Sequence, residues 1–138
     1  MIRYLVDTNI LSEPLRPRPD SQVLNKLREL DGQYATAAPV IEELTFGACR
    51  LPVSRRRTRI ESYVADLLNS GLQVLPFDLP AARWQGKERA RLVSLGTPVP
   101  LFDLQIAAIA QVNGLVLVTR NVKDVARLEG VEIENWFA

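Results

Sequence analysis

Four acidic residues lie at the ends of apolar segments in this chain: Asp7, Glu43, Asp103 and Asp124. The 138 residues include no histidine and one cysteine, so imidazole and thiolate ligands are nearly absent. Carboxylate oxygens are the protein ligands that hard cations such as Mg²⁺ and Mn²⁺ prefer, and these cations also bind phosphate oxygens. The sequence therefore favours metal-dependent chemistry on a phosphate ester.

The absence of histidine also excludes several reaction classes. A Ser-His-Asp triad, a Cys-His pair, a metal-free ribonuclease based on histidine and a His/Cys zinc site all require this residue. Cys49 has no partner for an intramolecular disulfide, and we predict a small residue that packs within a helix. The net charge of +1 leaves room only for local basic patches, such as the arginines at positions 50, 55, 56, 57 and 59.

Short runs of β-forming residues alternate with segments of helical periodicity. The predicted strands cover residues 2–6, 33–37, 73–75 and 115–119, with an edge strand within 131–137. Parallel strands need helical crossovers, so this alternation predicts a three-layer α/β/α domain with a mainly parallel sheet. Asp78 is predicted to cap the helix that starts at Leu79, and Gly114 is predicted to end the buried helix that contains Asp103. We expect one domain over residues 1–138. No apolar run is long enough to cross a membrane, and we expect an unprocessed, cytoplasmic protein.

The predicted sheet brings the four acids to one edge. The strands that precede Asp7 and Asp124 end on the same side of a parallel sheet. Glu43 lies in the first two turns of a helix opened by Pro39, and Asp103 lies near the start of a buried helix that faces the same edge. Clustered carboxylates raise one another's pKa unless a cation neutralises them, so the expected occupant is Mg²⁺ or Mn²⁺.

Each acid also has an ordinary structural explanation. Asp7 could cap a turn together with Asn9, and Glu43 could be a solvated helix residue. Asp103 could simply cap the first turn of its helix, and Asp124 could start a short one. The prediction of a metal site therefore depends on the four acids together.

Four segments that contain these acids occur in order along the chain: residues 5–9 (LVDTN), 43–47 (ELTFG), 103–108 (DLQIAA) and 119–124 (TRNVKD). Together they resemble the successive motifs of the PIN-domain ribonucleases. The similarity is greatest to the VapC-type toxins of bacterial toxin–antitoxin pairs, including the FitB-like branch, which residues 10–16 and 76–78 also resemble. The resemblance covers nearly the whole chain and implies a PIN-like fold.

The resemblance also implies an activity and partners. It implies a Mg²⁺- or Mn²⁺-dependent endoribonuclease toxin that hydrolyses phosphodiester bonds and leaves 5′-phosphate and 3′-hydroxyl ends. It further implies a homodimer that is held inactive by a DNA-binding antitoxin, with which the toxin represses its own promoter.

Asp7, Glu43 and Asp103 match the acidic positions of the family and are predicted to be catalytic metal ligands. Asn121 departs from those relatives that carry aspartate directly after the Thr-Arg pair, and Asp124 offers the fourth carboxylate instead. The residues predicted to support the ligands or the substrate are Thr8, Asn9, Asn121 and, more weakly, Ser12.

Three other functions would also use an acid at the end of the first strand or a PIN-like scaffold. Haloacid-dehalogenase phosphotransferases need a second aspartate two positions after the first, where this chain has Asn9. Receiver domains of two-component signalling need adjacent acids after the first strand, and Asp7 has no acidic neighbour. A catalytically silent PIN-like module that binds RNA or protein stays open as the alternative, because Asn121 departs from the motif.

Overall fold

A five-stranded parallel sheet forms the centre of the protein in the computed structural model, which describes residues 1–138. The strands are β1 (Tyr4–Val6), β2 (Tyr34–Ala37), β3 (Val74–Leu75), β4 (Val116–Val118) and β5 (Ile133–Glu134). Their order in the sheet is β3-β2-β1-β4-β5, and every neighbouring pair is parallel. The predicted parallel sheet is confirmed.

Seven helices connect and flank the strands. They are α1 (Thr8–Leu11), α2 (Ser21–Glu29), α3 (Ala38–Cys49), α4 (Arg55–Asn69), α5 (Leu79–Ser94), α6 (Leu101–Val112) and α7 (Val122–Val125). A short 3₁₀ turn, Glu13–Leu15, follows α1. The three-layer α/β/α architecture predicted from the alternation of strands and helices is confirmed. None of the helices combines the length and apolarity needed to cross a membrane.

The core is built around the central strand β1 and the helix α6. Leu5 and Val6 are fully buried, as expected for a strand covered on both faces. Nearly all of α6 is buried, from Asp103 to Ala110, apart from Gln105. This burial explains why the α6 sequence is apolar on almost every side, and it places Asp103 against the packed interior.

Local sequence signals fix where several helices begin and end. The carboxylate of Asp78 accepts a hydrogen bond from the backbone amide of Ala81 at 3.1 Å, so Asp78 caps α5 as predicted. Gly114 has a φ of 68°, a conformation that side chains disfavour, and it ends the segment after α6 immediately before β4. Such a stop lets the chain turn sharply into the sheet.

The carboxyl-terminal tail forms an edge strand and an aromatic anchor. β5 pairs with β4 at the edge of the sheet, as predicted. Trp136 is buried, and its indole packs edge-on against the rings of Tyr4 and Tyr34 at centroid distances of 5.4 and 6.3 Å. The tail therefore closes the core beside β1 and β2.

The prediction for Cys49 is wrong. This residue, the last of α3, is exposed, whereas the neighbouring Ala48 is buried. A helix turns by about 100° per residue, and α3 buries only one face, on which Val40, Leu44 and Ala48 lie. Ala48 takes the packing place that was assigned to Cys49.

Candidate active site

Asp7 lies at the junction of β1 and α1, the point where the central strand leaves the sheet. Its Oδ1 accepts a hydrogen bond from the backbone amide of Thr8 at 2.7 Å, so the carboxylate caps α1. The residue is buried, and this burial raises the pKa of the Asp7 carboxyl, although hydrogen bonds from Thr119 and Thr8 act in the opposite direction. Asp7 therefore has both the capping role and a strained electrostatic environment.

Thr119 connects Asp7 to the end of β4. Its hydroxyl donates to Oδ2 of Asp7 at 2.8 Å and accepts from the backbone amide of Asn121 at 3.1 Å. The Asn9 side-chain amide lies 3.3 Å from the same hydroxyl and 3.4 Å from Oδ2 of Asp7, while its Oδ1 accepts from the backbone amide of Arg120 at 3.0 Å. Asn9 and Thr119 together hold the two strand ends in register.

Glu43 lies on α3 and is exposed. Partial desolvation is the main reason that its pKa is raised, and the negative charges of Asp7 and Glu42 add to this. The Thr8 hydroxyl lowers the pKa of Glu43, yet it makes no hydrogen bond of normal geometry although it is buried. A polar ligand at Glu43 would give this hydroxyl a partner.

Asp103 is the acid whose pKa is raised by the charges of all three others. It lies in the first turn of α6 and is 8% exposed. Burial raises the pKa of Asp103 to about 6, and the negative charges of Asp7, Asp124 and Glu43 contribute in that order. Asp7, Asp124 and Glu43 therefore lie close enough to Asp103 for their charges to raise its pKa.

Asp124, Asn121 and Ser12 take more peripheral places. Asp124 is exposed in the one-turn helix α7. Asn121 precedes α7, and its exposed side chain makes no capping hydrogen bond. Ser12 ends α1 and lines a groove together with Thr8 and Glu43.

The acids lie close enough for charge repulsion but do not form a closed set of ligands. No group of three or more acidic side chains in the structure has the spacing of a metal site. The salt bridges of the protein involve other acids, namely Glu13, Glu61, Glu88 and Glu129. None of the four site acids forms a salt bridge with a lysine or an arginine. Their donor atoms are all carboxylate oxygens, which suit a hard divalent cation.

Thr119 was missed as a functional residue. The sequence places it inside the motif TRNVKD, but nothing in its type separates it from any threonine at the end of a strand. Its partner Asp7 lies 112 residues away in the chain. Only the pairing of β1 with β4 reveals the contact.

Comparisons with known proteins agree with the motifs. A family model for the PIN domain matches residues 4–130. The tRNA(fMet)-specific endonuclease VapC of Shigella flexneri is 32% identical over 137 residues, which are 99% of each chain. Toxin FitB of Neisseria gonorrhoeae is 32% identical over 123 residues, 85% of this chain and 86% of that protein.

A solved structure gives the same assignment in three dimensions. The DNA-bound VapBC from Salmonella typhimurium contains a chain that superposes with a TM-score of 0.82 at 31% identity, covering 99% of both chains. The family match spans almost the whole sequence, and the fold and the order of the acidic motifs agree with it. The chain therefore belongs to the PIN-domain family, in the group that contains the VapC ribonucleases and the FitB toxin.

Proposed function

We propose that the protein is a metal-dependent endoribonuclease toxin that hydrolyses phosphodiester bonds of RNA. The observation that carries the proposal is that Asp7 and Asp103 are buried carboxylates without an ion-pair partner, and that Glu43 and Asp124 also have none. Burial and the charges of the other three acids raise the pKa of Asp103 to about 6. Uncompensated carboxylates destabilise a fold, so their presence at one sheet edge indicates a cation-binding role. The names of the relatives support RNA as the substrate.

The donor set favours Mg²⁺ or Mn²⁺ as the cation. In the proposed site Asp7 and Asp103 are the principal ligands, and Glu43 and Asp124 bind directly or through water. A divalent cation held there supplies Lewis acidity toward water and phosphate and offsets the charge that develops on the phosphate in the transition state. Residues 1–138 act as a single PIN domain in this proposal.

The side chains around the ligands have separate tasks. The backbone amide of Thr8 and the hydroxyl of Thr119 each donate to one oxygen of Asp7, and so they orient its carboxylate. Asn9 accepts a hydrogen bond from the backbone amide of Arg120, and this bond positions the segment after β4 that contains Asp124. Glu43 is exposed and has a raised pKa, which suits a group that orients the attacking water and accepts its proton.

The proposed partner is a DNA-binding antitoxin that inhibits the nuclease and represses transcription together with it. The related Salmonella assembly is a DNA-bound VapBC complex, which supports this proposal. An arginine from such a partner could enter the acidic cluster by charge complementarity and displace the cation. We further propose a homodimer located in the cytoplasm.

Cleavage of RNA by the purified protein tests the proposed activity. Total bacterial RNA and initiator tRNA should be incubated separately with Mg²⁺, Mn²⁺ or EDTA, and the product ends mapped. We expect discrete cuts that carry 5′-phosphates and disappear in EDTA. Absence of cleavage with either cation on both substrates would contradict the proposal and favour a silent PIN-like binding module.

A further inference from the structure

A groove of about 610 Å³ opens beside the acidic cluster, between the segment after β1 and the helices α3 and α4. Thr8, Ser12 and Glu43 lie on its lining, so it is continuous with the candidate active site. Glu43 is the only acid among its thirteen lining residues, whereas four are arginines: Arg16, Arg50, Arg56 and Arg59. The groove is therefore basic and leads directly to the carboxylates.

One face of α3 forms a wall of this groove. Glu43, Gly47 and Arg50 are spaced by four and three residues, so they lie in a row along the helix. At 1.5 Å per residue, Arg50 is about 10 Å along the axis from Glu43. A ligand that lies along this row would meet an acid at one end and a guanidinium at the other.

The structure separates the arginines that have internal partners from those that do not. Arg59 donates to the backbone carbonyls of Pro14 and Leu15, and Arg16 forms an ion pair with Glu13 at 3.5 Å. Arg50 and Arg56 are both exposed, and neither guanidinium makes a hydrogen bond or an ion pair within the protein. These two charges in the groove are free to bind an anion.

Gly47 lines the groove but adds no side chain to its wall. It lies inside α3, where glycine is less favourable than alanine, and a Cβ at this position would meet no atom within 4 Å. Packing inside the protein therefore does not require glycine here. A glycine on the wall of a groove suits the close approach of a ligand backbone.

We propose that this groove binds the phosphodiester backbone of the RNA strand next to the bond that is cut, with Arg50 and Arg56 contacting phosphates and Gly47 admitting the strand. The inference rests on the proposed nuclease function and assigns a substrate subsite to it. A repeating polyanion fits two unpaired guanidiniums, those of Arg50 and Arg56, in a groove that is continuous with the proposed phosphate-cleaving centre. A protein partner with acidic side chains is the competing occupant, and the experiments below separate the two.

Binding of a fluorescein-labelled twelve-nucleotide oligouridylate to the full-length protein, measured by anisotropy in EDTA at several KCl concentrations, tests the arginines. We expect Arg50→Ala and Arg56→Ala each to weaken binding by about five- to tenfold and to reduce the slope of log K against log salt by about 0.7. Arg55→Ala is the matched control, because Arg55 is adjacent and exposed but does not line this groove. Equal effects of all three variants, no effect of Arg50→Ala and Arg56→Ala, or no binding by the unmodified protein would overturn the proposal.

Replacement of Gly47 gives a second readout that a merely structural role cannot produce. Gly47→Ala should raise the melting temperature by about 3 °C and yet weaken oligouridylate binding several-fold. Gly86→Ala is the control, since Gly86 lies exposed within α5 and its Cβ would also meet no atom within 4 Å. That variant should gain stability without loss of RNA affinity. Unchanged RNA affinity in Gly47→Ala would contradict a strand that lies against α3.

These binding measurements are independent of cleavage. RNA binding that depends on Arg50 and Arg56 in a protein that never cleaves would support the groove and refute the nuclease. Cleavage that persists at unchanged KM and kcat in both arginine variants would refute the groove and leave the nuclease intact. Binding of poly-L-glutamate is measured in parallel as the probe for an acidic protein partner. If both arginine variants keep their affinity for oligouridylate but lose it for poly-L-glutamate, the groove is a protein interface and the RNA proposal is wrong.

Discussion

The hydroxyl of Thr119 donates a 2.8 Å hydrogen bond to Oδ2 of Asp7, and both residues are buried. This bond joins the ends of β1 and β4, the two strands whose carboxyl ends define the candidate site. It fixes the direction of one Asp7 oxygen and favours the ionised carboxylate against the effect of burial. Thr119 therefore positions Asp7.

The first prediction concerns Thr119→Val, which keeps the shape of the side chain but removes the hydroxyl. Loss of a hydrogen bond that favours the carboxylate raises the pKa of Asp7 further, so the acid limb of the pH–rate profile should move to higher pH. The cleavage rate at pH 7 should fall about five- to tenfold, in line with roughly 1 kcal/mol for one hydrogen bond. Thr119→Ser retains the hydroxyl and should keep the profile in place; an unmoved profile in the valine variant would refute the positioning role.

The second prediction concerns the pH dependence of stability. The folded-state pKa of Asp103 is about 6, above its usual value of 3.8, so the folded protein binds a proton that the unfolded chain has released. In EDTA the free energy of unfolding should therefore fall as pH rises from about 4 to about 6, by about 1–2 kcal/mol for Asp103 once solvent screening is allowed for. Asp7 and Glu43, whose pKa values are also raised, act in the same direction.

Asp103→Asn isolates this contribution. At pH 7 the metal-free variant should be more stable than the unmodified protein, and added Mg²⁺ should stabilise it less. Urea titrations at pH 4, 5, 6 and 7 measure both effects, with Asp66→Asn on the exposed face of α4 as the control. A variant that is less stable than the unmodified protein at pH 7 in EDTA would show that Asp103 is not under repulsive strain.

The third prediction separates Asn121 from Asp124. The side chain of Asn121 is exposed and makes no capping contact, and only its backbone amide bonds to Thr119. Asn121→Ala should therefore change the cleavage rate by less than about twofold, whereas Asp124→Asn should reduce it about tenfold or more, as expected for loss of a metal ligand. Comparable losses in both variants would assign a direct role to the Asn121 amide.

The fourth prediction concerns the aromatic anchor of the carboxyl-terminal tail. Trp136 is 1% exposed, and its indole donates to Glu134 while packing against Tyr4 and Tyr34. Trp136→Ala should lower the free energy of unfolding by about 3–5 kcal/mol, because removal of the indole leaves a cavity beside β1 and β2. Phe137→Ala, at a half-buried position, should cost much less in the same denaturant titration. Equal losses would mean that the tail is not anchored through Trp136.

Sequence periodicity predicted most of the architecture because the signals were local. Asp78 was predicted as a helix cap, and its carboxylate does cap α5. Gly114 was expected to follow α6, and its positive φ lets the chain enter β4 directly. Such features depend on a few neighbouring residues, so a linear pattern contains them.

Features that depend on packing between distant segments were not visible. The exposed position of Cys49 follows from the face of α3 that meets the core, and two adjacent positions were equally compatible with the pattern. Arg50 is the C-cap of α3, whereas Arg56 and Arg59 lie on α4. The groove that these arginines share arises only when α4 packs beside α3. The sequence showed a basic cluster but not which of its members were unpaired.

The most direct test of the central claim compares Asp7→Asn with Asp78→Asn in a cleavage assay with mapped product ends. Both aspartates cap a helix, but only Asp7 lies in the acidic cluster. We predict discrete cuts by the unmodified protein in Mg²⁺ or Mn²⁺, loss of at least about a hundredfold in Asp7→Asn with the fold retained, and near-normal activity in Asp78→Asn. Undiminished cleavage in Asp7→Asn, or cleavage by the unmodified protein that persists in EDTA, would contradict a metal-dependent nuclease centred on this carboxylate.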